Sequence, residues 1–198
     1  MNEKQKDKLL ETIKSLEKET EYRSKQRFIT LFFSGEPSEE NGYKRFDYEK
    51  FCAMVLFFSH KSEELLKTKL MKLLNYSDMI FYKENGISIS GLKYAHLPYG
   101  PVPDKYDLLF GKMESDHIVH IDVLYDNGYE KHQVVPDCDI PQGVLSETEV
   151  TVLTRIYEKF KDFGSFDISE YSHEEKGYQS TKKGEIISYR YAKDIQLQ

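Results

Sequence analysis

The chain has 198 residues, of which 39% are hydrophobic and 31% are charged, with fifteen Tyr, twelve Phe and no Trp. A chain of this length and aromatic content can bury a large core, so general disorder is excluded. The net charge of −6 excludes a strongly basic protein that binds nucleic acid by releasing counterions. A moderate negative charge suits a basic partner, and it is also an ordinary means of staying soluble.

The first predicted element is a helix over residues 3–33. Its apolar residues recur at helical spacing with charges between them, beginning with Leu9, Leu10, Ile13 and Leu16. The segment 35–38 contains Gly, Pro and Ser and breaks this pattern. We therefore predict an N-terminal helical arm over residues 1–34 and, after a linker, a second domain over residues 45–198.

Two more helices are predicted in the first half of the second domain. Asp47 is a suitable N-cap for the first, with Phe46 and Phe51 placed for a hydrophobic staple. Ser62 is predicted to cap the second, longer helix. This helix is predicted to end at Gly86, because glycine accepts the left-handed cap conformation.

Short elements follow the long helix. We predict a strand over residues 87–90 and then a loop over residues 97–103, which three prolines and a glycine hold in a fixed conformation. Asp104 is predicted to cap a short helix that reaches residue 113.

A hairpin is predicted in the second half of the chain. Its strands, residues 118–126 and 129–135, flank Asn127-Gly128, which is a strong signal for a two-residue turn. Val119 begins the alternating apolar face of the first strand, which continues to Tyr125.

Helical segments complete the chain. Ser146 and Glu149 form a capping box at the start of the next helix, and a short helix is predicted from Asp167 to Tyr171. The elements together predict an α+β fold. It is a mainly helical globular domain with one antiparallel β-hairpin and a short extra strand, preceded by an N-terminal amphipathic helix.

The cysteines and the N-terminus favour the cytoplasm. Cys52 and Cys138 are isolated and have no CxxC spacing, which is typical of a reducing compartment. The first residues are charged and lack the apolar region of a secretory signal. The longest apolar run, residues 53–58, is too short to span a membrane.

Six histidines raise the question of a metal site. His117 and His120 stand at the head of a predicted strand, where residues three apart point to opposite faces. The predicted turn places His132 opposite Val123, far along the ladder from His117. Zinc requires clustered nitrogen and sulfur ligands, so we predict no metal site, and we expect no other cofactor.

The sequence has no GxSxG, P-loop, GxGxxG or HExxH motif. Cys52 lies among Phe, Met and Val on a helix, which favours a small buried hydrophobe over a nucleophile. Ser172, His173 and Glu174 are adjacent on a helix and point in different directions, so they cannot form a proton relay. We therefore predict that the chain is not an enzyme. The alternative is a hydrolase that uses His173 and a carboxylate, and it requires a concave site with a shifted pKa there.

Lysines and tyrosines in and after the long helix are candidate binding residues. Lys67, Lys69 and Lys72 form either a basic strip or, as we favour, the solvated side of an amphipathic helix. Tyrosines offer a large area and a hydrogen-bonding tip, and they either line an interface or lie half-buried in the core. These tyrosines are Tyr76, Tyr82, Tyr94 and Tyr99.

Several stretches of the sequence resemble a known family. Residues 68–78 read Thr-Lys-Leu-Met-Lys-Leu-Leu-Asn-Tyr-Ser-Asp, residues 86–94 read Gly-Ile-Ser-Ile-Ser-Gly-Leu-Lys-Tyr, and residues 99–103 read Tyr-Gly-Pro-Val-Pro. Leu-Ser-Glu-Thr-Glu at 145–149 and Tyr-Ser-His-Glu-Glu at 171–175 follow. In this order and spacing they resemble the Panacea domain of SocA-type and PanA-type antitoxins, from about residue 45 to the C-terminus.

The resemblance implies a function that composition does not. Many members of that family are antitoxins of two-gene toxin–antitoxin loci, often on prophages, and are similar to proteins that neutralise toxins by direct contact. The toxins include proteins like small alarmone synthetases. We therefore expect an antitoxin that binds a cognate toxin and occludes its substrate or nucleotide site. The alternative is a proteolytic adaptor, as in the SocA type, or a transcription-linked phage or prophage regulator of the same fold.

The N-terminal arm limits the partners that the resemblance allows. Some members carry an N-terminal helix-turn-helix, but residues 1–34 are too short for a complete DNA-binding domain. We therefore expect no nucleic-acid partner and no membrane. The apolar stripe of the arm needs covering, which suits contact with the toxin or with a second copy of the chain, as a homo-oligomer.

The family motifs also imply which residues bind the partner. Carried over position by position, these residues are Lys69, Lys72, Tyr76, Asp78, Tyr94, Tyr99, Gly100, Pro101, Val102, His173 and Glu175. The sequence departs from the family pattern at Asn75, where an aromatic residue is usual. It departs again at Gly177-Tyr178, which replaces the usual aromatic residue of the last motif.

Overall fold

The computed structural model describes residues 3–126 and 128–197, with side chains described from Lys6 onward. It divides into two compact units, Met1–Gly35 and Glu36–Gln198. Residues 36–44, most of the predicted linker, lie in the second unit. Asn41 and Gly42 are buried there, and Asn41 donates a side-chain hydrogen bond to the carbonyl oxygen of Glu36 at 2.9 Å.

The first unit consists mainly of one helix, α1 (Glu3–Phe32), as the apolar spacing predicts. Ion pairs one helical turn apart support it, Glu19 with Arg23 at 2.6 Å and Glu21 with Lys25 at 3.0 Å. Its first apolar side chains, at positions 9, 10, 13 and 16, are between 42% and 57% exposed. The stripe that the sequence predicts is therefore present and open to solvent.

The second unit contains the remaining helices and strands. In chain order they are α2 (Tyr48–Lys61), α3 (Lys67–Asn85), β1 (Tyr94–Leu97), β2 (Gly100–Pro103), α4 (Tyr106–Ser115), β3 (Val119–Asp126), β4 (Tyr129–Pro136), α5 (Glu147–Phe160), α6 (Ser165–His173), α7 (Lys176–Gln179) and β5 (Ile186–Ile187), with 3-10 helices at Glu39–Asn41 and Tyr189–Asp194. The α+β, mainly helical class that the sequence predicts is confirmed.

Helix α3 lies at the centre of this unit and packs against α5, α6 and β2. Helix α2 is apolar over most of its circumference, and nearly all of it is buried; Phe51, Met54 and Phe58 have no exposed surface. Such a helix gains its stability from packing rather than from an amphipathic surface. The core therefore forms around α2 and α3, and the short strands and the C-terminal helices cover it.

Two antiparallel sheets complete the unit. One has the strand order β2-β1-β5, and the other is the hairpin β3–β4. The predicted hairpin is confirmed, with Asp126 opposite Tyr129 and Val123 opposite His132. Asn127, the predicted first turn residue, lies outside the described residues. Gly128 has φ +83°, as a turn of this kind requires.

Several predicted helix ends are confirmed. The Asp47 side chain accepts from the Lys50 N–H at 3.1 Å. Ser146 and Glu149 form the reciprocal capping box, with distances of 3.2 and 2.8 Å. Gly86 takes the left-handed conformation after α3, with φ +76°. Each of these signals acts within a few residues, so neighbouring sequence is enough to reveal it.

Other boundaries differ from the prediction. Ser62 follows the end of α2 and does not start α3, which begins only at Lys67. The cause is a long-range contact, because the Leu65 carbonyl accepts from the Val134 N–H of β4 at 2.8 Å. Asp104 does not cap α4; its N–H donates to the Lys93 carbonyl at 2.8 Å, and Lys105 stands at the cap position with φ +57°.

The segment between α3 and α4 departs most from the prediction. Residues 87–90 are not a strand, because the N–H groups of Ile89 and Ser90 donate to the Asp78 side chain and that of Ser88 donates to the Gly42 carbonyl. Residues 97–103 are not a loop; Gly100–Pro103 is a strand paired with Tyr94–Leu97 across a turn at Pro98-Tyr99. Prolines are tolerated here because β2 is an edge strand of its sheet.

No helix in the described part of the chain combines the length and the apolar character needed to cross a membrane.

Candidate functional site

Asp78 organises the segment that follows α3. Its carboxylate is fully buried and accepts hydrogen bonds from the backbone N–H groups of Ile89 and Ser90, both at 2.8 Å. It also accepts from the Ser90 hydroxyl and from the Tyr94 hydroxyl, the latter at 2.7 Å. Burial raises the pKa of Asp78, and these donors oppose that rise by stabilising the carboxylate. Asp78 therefore fixes the path from α3 into β1.

Lys72 lies one helical turn before Tyr76 on α3 and has no exposed surface. Its ammonium has no hydrogen-bond partner among the described residues, and burial lowers its pKa to about 8. Gly100 of β2 packs directly over it. A Cβ at Gly100 would stand 2.8 Å from Lys72 Cε and closer still to the Ser172 hydroxyl. The prediction that Lys72 belongs to a solvated helix face is wrong.

Tyr76 joins α3 to the C-terminal helices. Its ring stacks on Phe160 with centroids 4.8 Å apart, and it meets Tyr171 edge-on at 6.0 Å. Its hydroxyl donates to Glu175 at 3.3 Å. Burial raises the pKa of Glu175 above its usual value, and the hydrogen bond from Tyr76 offsets only part of this rise. Tyr76 and Tyr94 are 1% and 0% exposed, so both tyrosines belong to the core and do not line an open interface.

Three rings stack where β1 meets α6 and α7. Tyr178 lies between His96, with centroids 3.7 Å apart, and His173, at 4.6 Å. The Tyr178 hydroxyl donates to the Leu97 carbonyl at 2.8 Å. His173 also approaches Glu170, with Nδ1 3.3 Å from its carboxylate. Tyr178, where the sequence departs from the family pattern, therefore packs the last motif against the β1–β2 hairpin.

The remaining family-motif residues divide between surface and interior. Tyr99 is 74% exposed at the turn between β1 and β2. Lys69 is half-buried and donates to the Lys161 carbonyl at 2.9 Å. Gly100, Pro101 and Val102 are buried in β2. Tyr99 is the most exposed of the motif residues, whereas Asp78 and Tyr94 are buried and stabilise the interior.

An open cleft of about 680 Å³ lies between the start of α3, strand β4 and the start of α6. Its apolar lining comes from Leu66, Met71, Tyr106 and Phe166, and Phe166 is 74% exposed. Charged side chains surround it in opposite pairs, such as Lys67 with Asp107 at 3.3 Å. A concave surface with apolar walls and a protruding aromatic ring is typical of a binding site.

The β3–β4 hairpin extends from the core at its turn end. Val119 is fully buried at its base, whereas Val123 is 48% exposed and Tyr125 is 77% exposed. Tyr129 on β4 is 76% exposed. The apolar face that the alternation predicts is therefore packed only near the base. The far end presents exposed aromatic rings, which are favoured at protein interfaces.

Of the residues considered for catalysis or metal binding, His132 lines this cleft, whereas Cys52, His120 and Ser172 do not. Ser172 is buried, and its hydroxyl donates to the Ser169 carbonyl at 2.7 Å. Cys52 is buried with 6% exposure, as predicted for a small hydrophobe in the core. His120 contacts Asp137 at 2.6 Å. Within residues 3–126 and 128–197, no group of three or more His, Cys, Asp or Glu side chains is arranged to hold a metal ion.

The sequence did not predict three exposed aromatic residues as binding candidates: Phe166, Tyr125 and Tyr129. A signal existed for Phe166, because Ile168, two residues later in the same helix, is buried and lies on the opposite side of the helix. An aromatic residue away from the buried face of a short amphipathic helix is exposed by geometry. The two hairpin tyrosines gave no such signal, because only the packing shows how far the hairpin extends from the core.

The comparison with protein families identifies an antitoxin family. The family model described as antitoxin SocA-like, Panacea domain matches residues 70–179, which is more than half of the chain. No curated protein matches the chain, and no solved structure matches it. The matched stretch runs from α3 through α7 and so contains the Asp78 cluster, the stacked rings, the hairpin and most of the cleft.

Proposed function

Because the chain belongs to the antitoxin SocA-like, Panacea domain family, we propose that it is the antitoxin of a toxin–antitoxin system and neutralises its toxin by direct protein–protein binding. The family match carries this proposal. In the proposed mechanism the antitoxin covers the substrate or nucleotide site of the toxin, and it performs no catalysis of its own. A toxin like a small alarmone synthetase is the proposed partner class.

The division between interior and surface residues supports a binding role. Asp78 and Tyr94 stabilise the interior, while Tyr99, Phe166 and Tyr125 expose aromatic rings to solvent, each by 74% or more. Exposing a large ring costs solvation free energy unless a partner covers it, and Tyr and Phe rings contribute strongly when an interface buries them. These exposed rings are the proposed contact residues on the second unit.

The N-terminal arm supplies a second apolar surface. Leu9, Ile13 and Leu16 are exposed along one side of α1, at 48%, 42% and 57%. We propose that the toxin or a second copy of the chain covers this stripe. Size-exclusion chromatography with light scattering, on the chain alone and with the toxin, distinguishes these two occupants.

The direct test is co-expression with the product of the neighbouring gene. We expect that product to arrest growth when induced alone, and we expect the arrest to be relieved when the present chain is co-expressed. The two proteins should then co-purify. If the product is harmless, or if growth is restored without any complex, the proposal fails. Binding to a protease or to operator DNA then becomes the next measurement, for the adaptor and regulator alternatives.

Substitutions of exposed residues test which side chains contact the toxin. A Tyr99→Ala, Phe166→Ala double variant should fold normally but relieve growth arrest poorly. Ile87→Ala is the control, because Ile87 is also an exposed apolar residue, at 41%, and is not among the proposed contact residues. Equal rescue by the double variant and the control would place the toxin surface elsewhere.

A further inference from the structure

One edge of strand β4 is only partly paired. In an antiparallel hairpin with a two-residue turn, hydrogen-bonded pairs alternate with pairs that are not bonded to each other. Because Asp126 and Tyr129 close the turn, Glu130, His132 and Val134 direct their backbone groups away from β3. The Val134 N–H does donate to the Leu65 carbonyl on that outer side, at 2.8 Å, which agrees with this alternation.

The outer pairing stops where α3 begins. The last bridge joins Leu66 to Gln133, and from Lys67 onward the chain turns away as a helix. Within the part of the chain that the structure describes, no hydrogen bond reaches the N–H of His132 or the backbone N–H and carbonyl of Glu130. An exposed edge of this kind can pair with another extended backbone.

The cleft described above lies beside this open edge. Glu130, Lys131 and His132 form one wall of it, and Met71 and Phe166 contribute apolar surface opposite. A strand placed along β4 would direct alternate side chains to one face, where an apolar one can enter the cleft. The unpaired backbone groups and the apolar cleft thus point independently to the same kind of ligand.

The charges around the cleft indicate an apolar side chain rather than a charged one. Lys131 pairs with Asp126 at 2.5 Å, and His132 Nε2 contacts Glu130 at 2.5 Å. Since neighbouring charges of opposite sign largely offset each other, the cleft has no strong preference for either sign. Burial of an apolar group is then the main side-chain contribution to binding.

We propose that an extended segment of the toxin adds as a strand to the outer edge of β4, at Glu130 and His132, and places an apolar side chain in the cleft. This inference rests on the proposed antitoxin function. It specifies how the toxin is held, by backbone pairing that sets the register and by one side chain that fills a preformed cleft.

Proline substitutions test the backbone pairing. Proline at an outward-facing position removes a donor from the outer edge without removing a β3–β4 hydrogen bond. His132→Pro should therefore weaken toxin binding by about tenfold or more, as expected for the loss of about 1.4 kcal/mol. Val123→Pro is the matched control, because Val123 faces His132 across the hairpin and directs its backbone groups to the opposite edge. This control should bind within about threefold of the original chain.

Two further measurements do not depend on the proline variant folding. Thr68 is exposed on α3 and lines the cleft, so Thr68→Trp should fill the cleft and weaken binding, while the helical circular dichroism stays unchanged. Hydrogen–deuterium exchange on the unmodified complex should show that the backbone amide of His132 becomes protected when the toxin binds.

The outcomes separate this inference from the proposed function. If the unmodified chain neither binds nor neutralises the neighbouring gene product, both fail. If the unmodified chain neutralises it but His132→Pro and Thr68→Trp bind equally well and the His132 amide stays unprotected, only strand addition fails. If Val123→Pro loses binding while His132→Pro keeps it, the toxin pairs with the edge of β3, and the inference is again overturned.

Discussion

Replacing Lys72 with methionine should stabilise the protein at neutral pH. Lys72 has no exposed surface, its ammonium has no hydrogen-bond partner among the described residues, and burial lowers its pKa from 10.5 to about 8. This difference of about 2.5 pH units corresponds to about 3 kcal/mol, at about 1.4 kcal/mol per unit. Methionine has a similar length and no charge, and imperfect repacking costs less than about 1.5 kcal/mol. We expect a net gain of about 2 kcal/mol.

The sign of the pH dependence follows from proton binding. Below pH 8 both the folded and the unfolded chain hold the proton on Lys72, so the cost of burying the charge is fully present. Between about pH 8 and 10.5 the folded protein releases the proton first. The unfolded state then binds more protons, and the stability contributed by this site rises with pH. The advantage of Lys72→Met should therefore be largest below pH 8 and nearly vanish by about pH 10.

Urea unfolding of both proteins at pH 7 and at pH 10 measures this difference directly. Because the other titrating groups are the same in both proteins, the difference between the two free energies of unfolding gives the contribution of Lys72. Lys183→Met is the control, because Lys183 is exposed; it should change stability by less than about 0.5 kcal/mol. A loss of stability in Lys72→Met at both pH values would refute the reasoning, because it would mean that the ammonium has a stabilising partner.

Three further substitutions test the buried motif and its surface. Asp78→Asn should lower the free energy of unfolding by about 1–3 kcal/mol, because its amide nitrogen would replace the carboxylate oxygen that accepts from the Ser90 and Tyr94 hydroxyls, and both charge-assisted hydrogen bonds would be lost. An unchanged stability would contradict this arrangement. Gly100→Ala should lower the free energy of unfolding by more than about 2 kcal/mol, because the added methyl group would clash with Lys72 and Ser172. Gly86→Ala is the control: Gly86 also has a positive φ, but a Cβ there would meet no atom within 4 Å, so the loss should be about 1 kcal/mol. Equal losses in urea unfolding would argue against close packing over Gly100. Tyr99→Ala should change stability by less than about 0.5 kcal/mol while reducing toxin affinity, and unfolding of this variant would show that the ring is structural.

Local signals in the sequence allowed correct predictions where the stabilising contact lies nearby. The Asp47 cap, the Ser146–Glu149 box and the Gly86 cap each depend on atoms within four residues, and the structure contains all three. The β3–β4 register follows from the turn in the same way. Fold class was predictable for the same reason, since it depends on the count and type of elements rather than on their arrangement.

Long-range contacts account for the predictions that failed. Helix α3 starts at Lys67 rather than near Ser62 because Leu65 pairs with Val134, almost seventy residues later. Residues 87–90 have strand-like composition, but they take a loop conformation because Asp78 accepts their backbone N–H groups. Neither contact leaves a mark in the nearby sequence.

The same distinction between local and long-range information applies to the candidate binding surface. The motif residues identify the family, because their order and spacing are properties of the sequence alone. Burial is a property of the packed chain, and only the tertiary structure places Lys72 in the interior and Phe166 on the surface. The helical period puts Lys72 on a face with other lysines, but the packing of Gly100 over that turn removes it from water. The sequence by itself determined the class of elements and the family, because these depend on local pattern. The tertiary structure decided which side chains a partner can reach, because exposure depends on segments that are distant in the chain.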